Sequence, residues 1–222
     1  MSRLPTSDKI KVAAITGHHA FDVPGFYTLF RSIPGIDAYP QSLDDYCAST
    51  DQVREQYDVL VFYNFHQDTP GEKVEWWQGD QKTVLESLGE SEQGILILHH
   101  GLLAYRKWQL WSDLVGIQER GFGYYPNETI AIHVEKTDHP ITERLQDWEM
   151  IDETYTVDEP GEGCEILLTA DHPKSMRAIG WTRQHKQARV FCLVCGHDNQ
   201  AFANAGFRAA VARGIRWLAR RI

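Results

Sequence analysis

No apolar run in this 222-residue chain reaches the ~18 residues that a membrane-spanning helix requires, so no helical span is expected. Cysteine is scarce: Cys47, Cys164, Cys192 and Cys195 are too few and too scattered to form a disulfide framework in a chain this long. Positive charge is in deficit as well, with 22 Lys and Arg against 31 Asp and Glu leaving a net charge of −9. Such a balance repels phosphate backbones and anionic lipid, which argues against a nucleic-acid or membrane partner. The opening MSRLPTSDKI holds no apolar core and no small-residue cleavage site, so it does not read as a secretory signal. With reduced thiols, the expected location is cytoplasmic. Internal repeats, low-complexity tracts and long linkers are absent, and one domain over residues 1–222, with 1–9 as a flexible N-terminus, is the economical expectation.

Several catalytic signatures are missing too. The chain contains no G-x-S-x-G, no G-x-C-x-G and no H-E-x-x-H. Without Ser or Cys at a strand-to-helix turn, acyl transfer lacks its nucleophile, which disfavours hydrolase and glutaminase chemistry. The C-x-x-C of Cys192 and Cys195 lies inside RVFCLVCG, a buried-strand pattern rather than a helix start, and reads as two structural thiols.

What is present is an alternation of strand and helix. KVAAIT (11–16), IDAYPQ (36–41), DVLVFYN (58–64) and GILILHH (94–100) are strand-length apolar runs bounded by turn or polar residues. Helix-compatible segments separate them at 24–32, 49–56 and 72–88, and this order predicts a parallel sheet. A helix is expected over 104–116, closed by Gly116. Residues 117–128 read as a loop and TIAIHVEK (129–136) as a half-buried strand. Residues 138–163 read as a short helical piece among acidic and turn residues, crossing the sheet's edge or mouth. CEILLTA, MRAIGWTRQ and ARVFCLVCG predict three more strands, the last two joined as a hairpin, so the antiparallel portion is late. A final helix starts at Asn199, with Phe202, Phe207, Val211, Ile215 and Leu218 at helical spacing.

In open parallel α/β sheets, ligands bind beyond the carboxyl ends of the strands. Histidine recurs at those ends: His18, His19, His66, His99, His100 and His197. Neutral imidazole serves as acid, base or metal ligand near neutral pH, and at least three of these are expected to line one site. His99 and His100 stand at a strand-to-helix turn, where a nucleophile elbow presents its side chain. A second cluster is His139 with Asp152, Glu153 and Tyr155. Its carboxylates are either solvated or work beside the histidines as base or metal ligand, since zinc and related ions accept mixed His and carboxylate donors. Asp198 is expected to cap the last helix or orient His197. Tyr124 and Tyr125 are expected to wall a ligand, whereas Trp76, Trp77, Trp108 and Trp111 read as core or interface.

Four ordered pieces, GHHAFD, LHHGLLAYRKWQLWSDLVG, HPI followed by DETY, and ARVFCLVCGHDNQAF before a helix ending in GIRWL, resemble the ThuA-like family over about Lys11 to Leu218. The resemblance implies a flavodoxin-like, three-layer α/β sandwich related to class I glutamine amidotransferases, its sheet mainly parallel with a late antiparallel portion. It also implies that His99 stands where the amidotransferases carry their cysteine. His139, Glu153 and His197 match recurrent polar positions of the family, flanked by Asp152 and Tyr155. His100 departs from the family, where a small residue is usual. Successive strand residues point to opposite sides, so only one of His99 and His100 is expected to reach a ligand.

The implied setting is bacterial carbohydrate catabolism, with a small-molecule keto-sugar as substrate. The expected reaction is proton abstraction, as isomerase or lyase, with Glu153 as base. His99, His139 and His197 would polarise the carbonyl, directly or through a divalent ion such as zinc held by those three. His19, His100, Asp152, Tyr155, Asp198 and Tyr124 are the expected substrate contacts. The alternatives are a non-catalytic sugar-binding or regulatory module and a metal-dependent hydrolase. A homo-oligomer is compatible with the aromatic content.

Overall fold

The computed structural model describes residues 8–71, 75 and 77–222. Trp76, most of residues 1–9 and the start of the helix expected over 72–88 lie outside the described residues.

The four apolar runs form β1 (Ile10–Gly17), β2 (Ile36–Ser42), β3 (Val59–Asn64) and β4 (Gly94–Leu98). Every residue of β3 and β4 is buried, as continuous apolar strands covered on both faces must be. Between them lie α1 (Val23–Arg31), α2 (Leu43–Ala48), α3 (Asp51–Arg54) and α4 (Gln81–Glu86). Asp22, Ser42 and Asp80 cap α1, α2 and α4 through their side chains, satisfying amides that the first helical turn leaves unpaired.

Five further strands follow: β5 (Gly123–Val134), β6 (Trp148–Thr156), β7 (Glu165–Ala170), β8 (Ala178–His185) and β9 (Ala188–Leu193). All nine make one sheet in the order β2-β1-β3-β4-β9-β8-β7-β5-β6. Its β2 to β9 half is parallel, and the rest is antiparallel.

The remaining helices are α5 (Gln109–Val115), α6 (Asn199–Ala203) and α7 (Ala205–Leu218). Tyr63 packs against Phe26 of α1 and Phe202 of α6, and Gly214 of α7 lies on Phe191 of β9. The neighbouring residues face the other way: Phe62 meets Trp111 of α5, and the Cys192 thiol faces the Val115 carbonyl. Leu60, two residues before Phe62 and therefore on the same face, bounds a cavity of about 440 Å³ with Tyr46 of α2 and Val84 of α4. The architecture is thus three layers, with α1, α6 and α7 on one face and α2, α4 and α5 on the other.

Several expectations are corrected. The helix expected over 49–56 is only the short α3, and α2 precedes it where no helix is expected. The one expected over 104–116 begins earlier as a 3-10 turn at His99–Leu103, is interrupted where Tyr105 takes φ 47°, and resumes as α5. Gly116 closes α5 at φ 84°, a conformation that suits residues without a Cβ. Tyr124 and Tyr125 belong to β5 rather than a loop, and DETY belongs to β6 rather than a helical piece. The last helix breaks at Asn204, whose side chain accepts from the Phe207 amide to cap α7. Trp111 is fully buried, whereas Trp77 is exposed.

Candidate functional site

The ends of β1, β3, β4 and β9, adjacent in the sheet, are followed by His18 and His19, by His66, by His99 and His100, and by His197. His99 sits immediately after β4 with φ 50°. A non-glycine residue in that region is strained by about 1–2 kcal/mol, and here the sharp turn aims the imidazole across the strand ends. The ring is fully buried. Its Nδ1 lies 2.7 Å from the Val194 carbonyl; a carbonyl can only accept, so the hydrogen is on Nδ1 and Nε2 keeps its lone pair. The Tyr155 hydroxyl donates to that Nε2 at 2.8 Å.

The edge strand β6 completes the arrangement by reaching back over the end of β9. Asp152 accepts from the amides of Gly196 at 2.6 Å and His197 at 3.0 Å, pinning the His197 loop to β6. Tyr63 donates to the carbonyls of the same two residues at 2.9 and 3.0 Å. The next residue of β6, Glu153, is thereby placed with Oε1 3.6 Å from His99 Nε2 and 3.5 Å from His197 Nδ1. The two histidine nitrogens are 3.2 Å apart. Donors bound to zinc at ~2.1 Å in a tetrahedron stand about 3.4 Å from one another. The triangle His99, Glu153 and His197 therefore has the dimensions and the donor set of a divalent-ion site. The Val194 carbonyl plays the outer-shell role that fixes the tautomer of a ligating histidine.

Burial pushes the Glu153 carboxyl up, but its polar neighbours His99, Tyr155 and His197 outweigh it and hold the group below the usual carboxylate range. Glu153 is ionised at neutral pH. Burial raises Tyr155 well above its ordinary value, with Glu153 adding to the effect, so it remains a hydroxyl donor. Burial also raises Asp152, against the three amides it accepts from. His19 is lowered by burial, and His66, stacked on His18 with ring centroids 3.8 Å apart, is lowered by burial to about 4.

Not every expected residue joins this site. His139 belongs elsewhere: its ring packs on Trp217, its Nδ1 accepts from the Ile141 amide, and its Nε2 lies 4.0 Å from Glu165. Trp217 is at the end of α7, where Leu218 covers Gly94, the first residue of β4. His139 is thus at the far end of β4 from His99, and a five-residue strand spans about 16 Å. The loop after β5 turns away from the mouth, and Glu153 takes the place expected of His139 in the metal set. Asp198 caps α6 by accepting from the Gln200 amide. Asp152 is spent on backbone amides rather than a ligand. Tyr124 pairs in register with Tyr155 but is 63% exposed. His19 and His100 do lie at the site, with ring centroids 4.3 Å apart. Tyr63 and the Val194 carbonyl escaped sequence reasoning; the only signal for Tyr63 was its place near the end of an apolar strand.

A family model described as ThuA, trehalose utilisation, matches residues 35–218. A protein described as ThuA-like from Parabacteroides merdae superposes with a TM-score of 0.73 at 20% identity, covering 95% of this chain and 90% of that one. Another, from Bacteroides uniformis, gives 0.73 at 15% identity over 98% and 94%. A glutamine amidotransferase from Thermotoga maritima gives 0.54 at 11% identity over 95% and 98%. At these identities the likeness is one of fold, and the fold is amidotransferase-like. No curated protein matches the chain in sequence.

Proposed function

Since the chain belongs to the ThuA family, described by its role in trehalose utilisation, we propose that it transforms a keto-sugar or keto-glycoside by removing a proton beside the ketone. The observation that most supports this is the triangle of a buried imidazole, a half-buried imidazole and one ionised, half-buried carboxylate, at an elbow that carries His99 and no Ser or Cys. A ketone acidifies the neighbouring C–H bond, and a positioned base that removes the proton typically contributes 10²–10⁴-fold in rate. Glu153 is that base. His197 and the Tyr155 hydroxyl face the same point and donate to the oxygen on which charge develops, while His99, whose Nε2 carries a lone pair, positions the Tyr155 hydroxyl. Returning the proton to the adjacent carbon isomerises the sugar. Expelling a glycosidic oxygen β to the ketone makes the reaction an elimination, with the proton going to the leaving oxygen.

A divalent ion held by His99, Glu153 and His197 supplies Lewis-acid polarisation of a carbonyl when bound. The proposed partner is a small-molecule sugar, met in the cytoplasm, where four free cysteines stay reduced.

The test is proton NMR of a 3-keto-disaccharide in D2O with metal-assayed protein. Exchange or conversion is expected in the wild type and is expected to fall at least a hundredfold in Glu153→Gln and His99→Ala. An unchanged rate in Glu153→Gln removes Glu153 as base. Binding without exchange in the wild type assigns the chain to the sugar-binding modules instead.

A further inference from the structure

Beside the triangle lie two ring nitrogens that no protein group satisfies. His100 is 2% exposed, and its Nε2 is 3.0 Å from the Tyr63 carbonyl. That contact commits the Nε2 hydrogen, so Nδ1 of the neutral ring is a bare acceptor. His19 lies over it, half-buried, with its edge toward His197 at 5.8 Å between centroids. The Nδ1 atoms of both His19 and His100 are buried and without a hydrogen-bond partner. A buried polar group without a partner destabilises a fold, so two of them next to a candidate site call for a ligand group.

We propose that His19 and His100 form a subsite for the two hydroxyls that flank the ketone of the sugar, one donating to His100 Nδ1 and the other hydrogen-bonding His19 Nδ1. The proposal rests on the reading of the chain as a sugar-transforming protein and adds a specificity rule: the substrate carries unsubstituted hydroxyls on both carbons next to the ketone. The geometry favours hydroxyls over other groups. A carboxylate or phosphate offers His100 Nδ1 no hydrogen, and a cation at that nitrogen has no carboxylate bonded to the same ring to balance it. The aromatic rings of Tyr63 and Phe65, at 4.2 and 5.7 Å from the His100 ring, flank the histidine pair with the kind of apolar surface that sugar C–H groups pack against. His18 and Ala20, on either side of His19, are exposed, so the His19 ring is carried by a surface turn and moves aside without disturbing the core.

The experiment is a binding titration of trehalose and its mono-deoxy analogues, followed by ¹⁵N NMR of the histidine ring nitrogens in zinc-loaded and metal-stripped protein. The expected result is a shift of His100 Nδ1 on adding trehalose in both preparations. Deoxygenation at either C2 or C4, the carbons that flank C3, is expected to weaken Kd about tenfold or more. In His19→Phe, which keeps the ring and folds as a surface-turn change, one of those two discriminations is expected to disappear. Equal binding of all deoxy analogues, or a His100 Nδ1 resonance that no sugar moves, overturns the subsite even if keto-sugar turnover is found. Conversely, a hydroxyl-dependent shift without any proton exchange sustains the subsite and sinks the proposed chemistry.

Discussion

At the level of single residues, the site is made by hydrogen bonds that decide protonation. The Val194 carbonyl fixes the His99 tautomer, and Tyr155 reads the lone pair that results. None of this is visible in the residue types, because a histidine at a strand end looks the same whether its ring is paired or bare. The titrations have a definite sign. His66 falls from an unfolded value near 6.5 to about 4, so between those values the unfolded chain binds the extra proton and the native state loses stability as the pH falls. Glu153 acts lower. Its folded value lies below the usual 4.5, so its contribution is complete above about pH 4.5 and is lost as the pH falls through the depressed value. Urea midpoints measured from pH 7 to pH 3 are expected to fall in two stages, with His66→Gln flattening the upper stage and Glu153→Gln the lower. A wild-type midpoint that stays level between pH 7 and pH 5 contradicts the assignment of His66.

At the level of elements, the segment after the elbow is held by one buried cation. Arg120 is 2% exposed and donates to Ser112 Oγ and to the carbonyls of Leu102, Ala104, Tyr105 and Trp108. No carboxylate is among these partners; the carbonyls lie along the very turn that carries His99 and His100 into α5. Arg120→Leu leaves those acceptors unpaired at ~1–3 kcal/mol each, so a loss of roughly 3 kcal/mol or more is expected in urea unfolding. Activity is expected to fall with it as the elbow loosens. A variant within 1 kcal/mol of wild type rules out this role.

Strand legibility follows the same logic. Strands β1, β3, β4 and β9 were readable because their apolar runs are buried on both faces, whereas β6 was not. Its inward residues include Asp152 and Thr154, which are buried only because Gly196, His197 and the Lys174 carbonyl satisfy them. A polar residue with a distant partner reads, in sequence, as solvent-exposed.

At the level of the whole molecule, the sheet topology brings an antiparallel arm back over the parallel half, and metal binding should be felt by the entire fold. A ligand at 100 times its Kd stabilises the native state by about 2.7 kcal/mol, worth several degrees of Tm in a chain of this size. Zinc is expected to raise Tm in the wild type and in His139→Ala, but not in His197→Ala or Glu153→Gln. An equal rise in His197→Ala removes the triangle as the ion's site. The sequence by itself determined the α/β class, the late antiparallel portion and the crowding of histidines at one sheet edge. Hydrophobic periodicity is a local property, set by which face of each segment must leave water. Tertiary structure alone decided that Glu153, and not His139, meets His99 and His197. That choice depends on β6 folding back across the end of β9 while the 135–147 loop runs to the opposite end, and it is held by contacts between residues 44 to 98 positions apart.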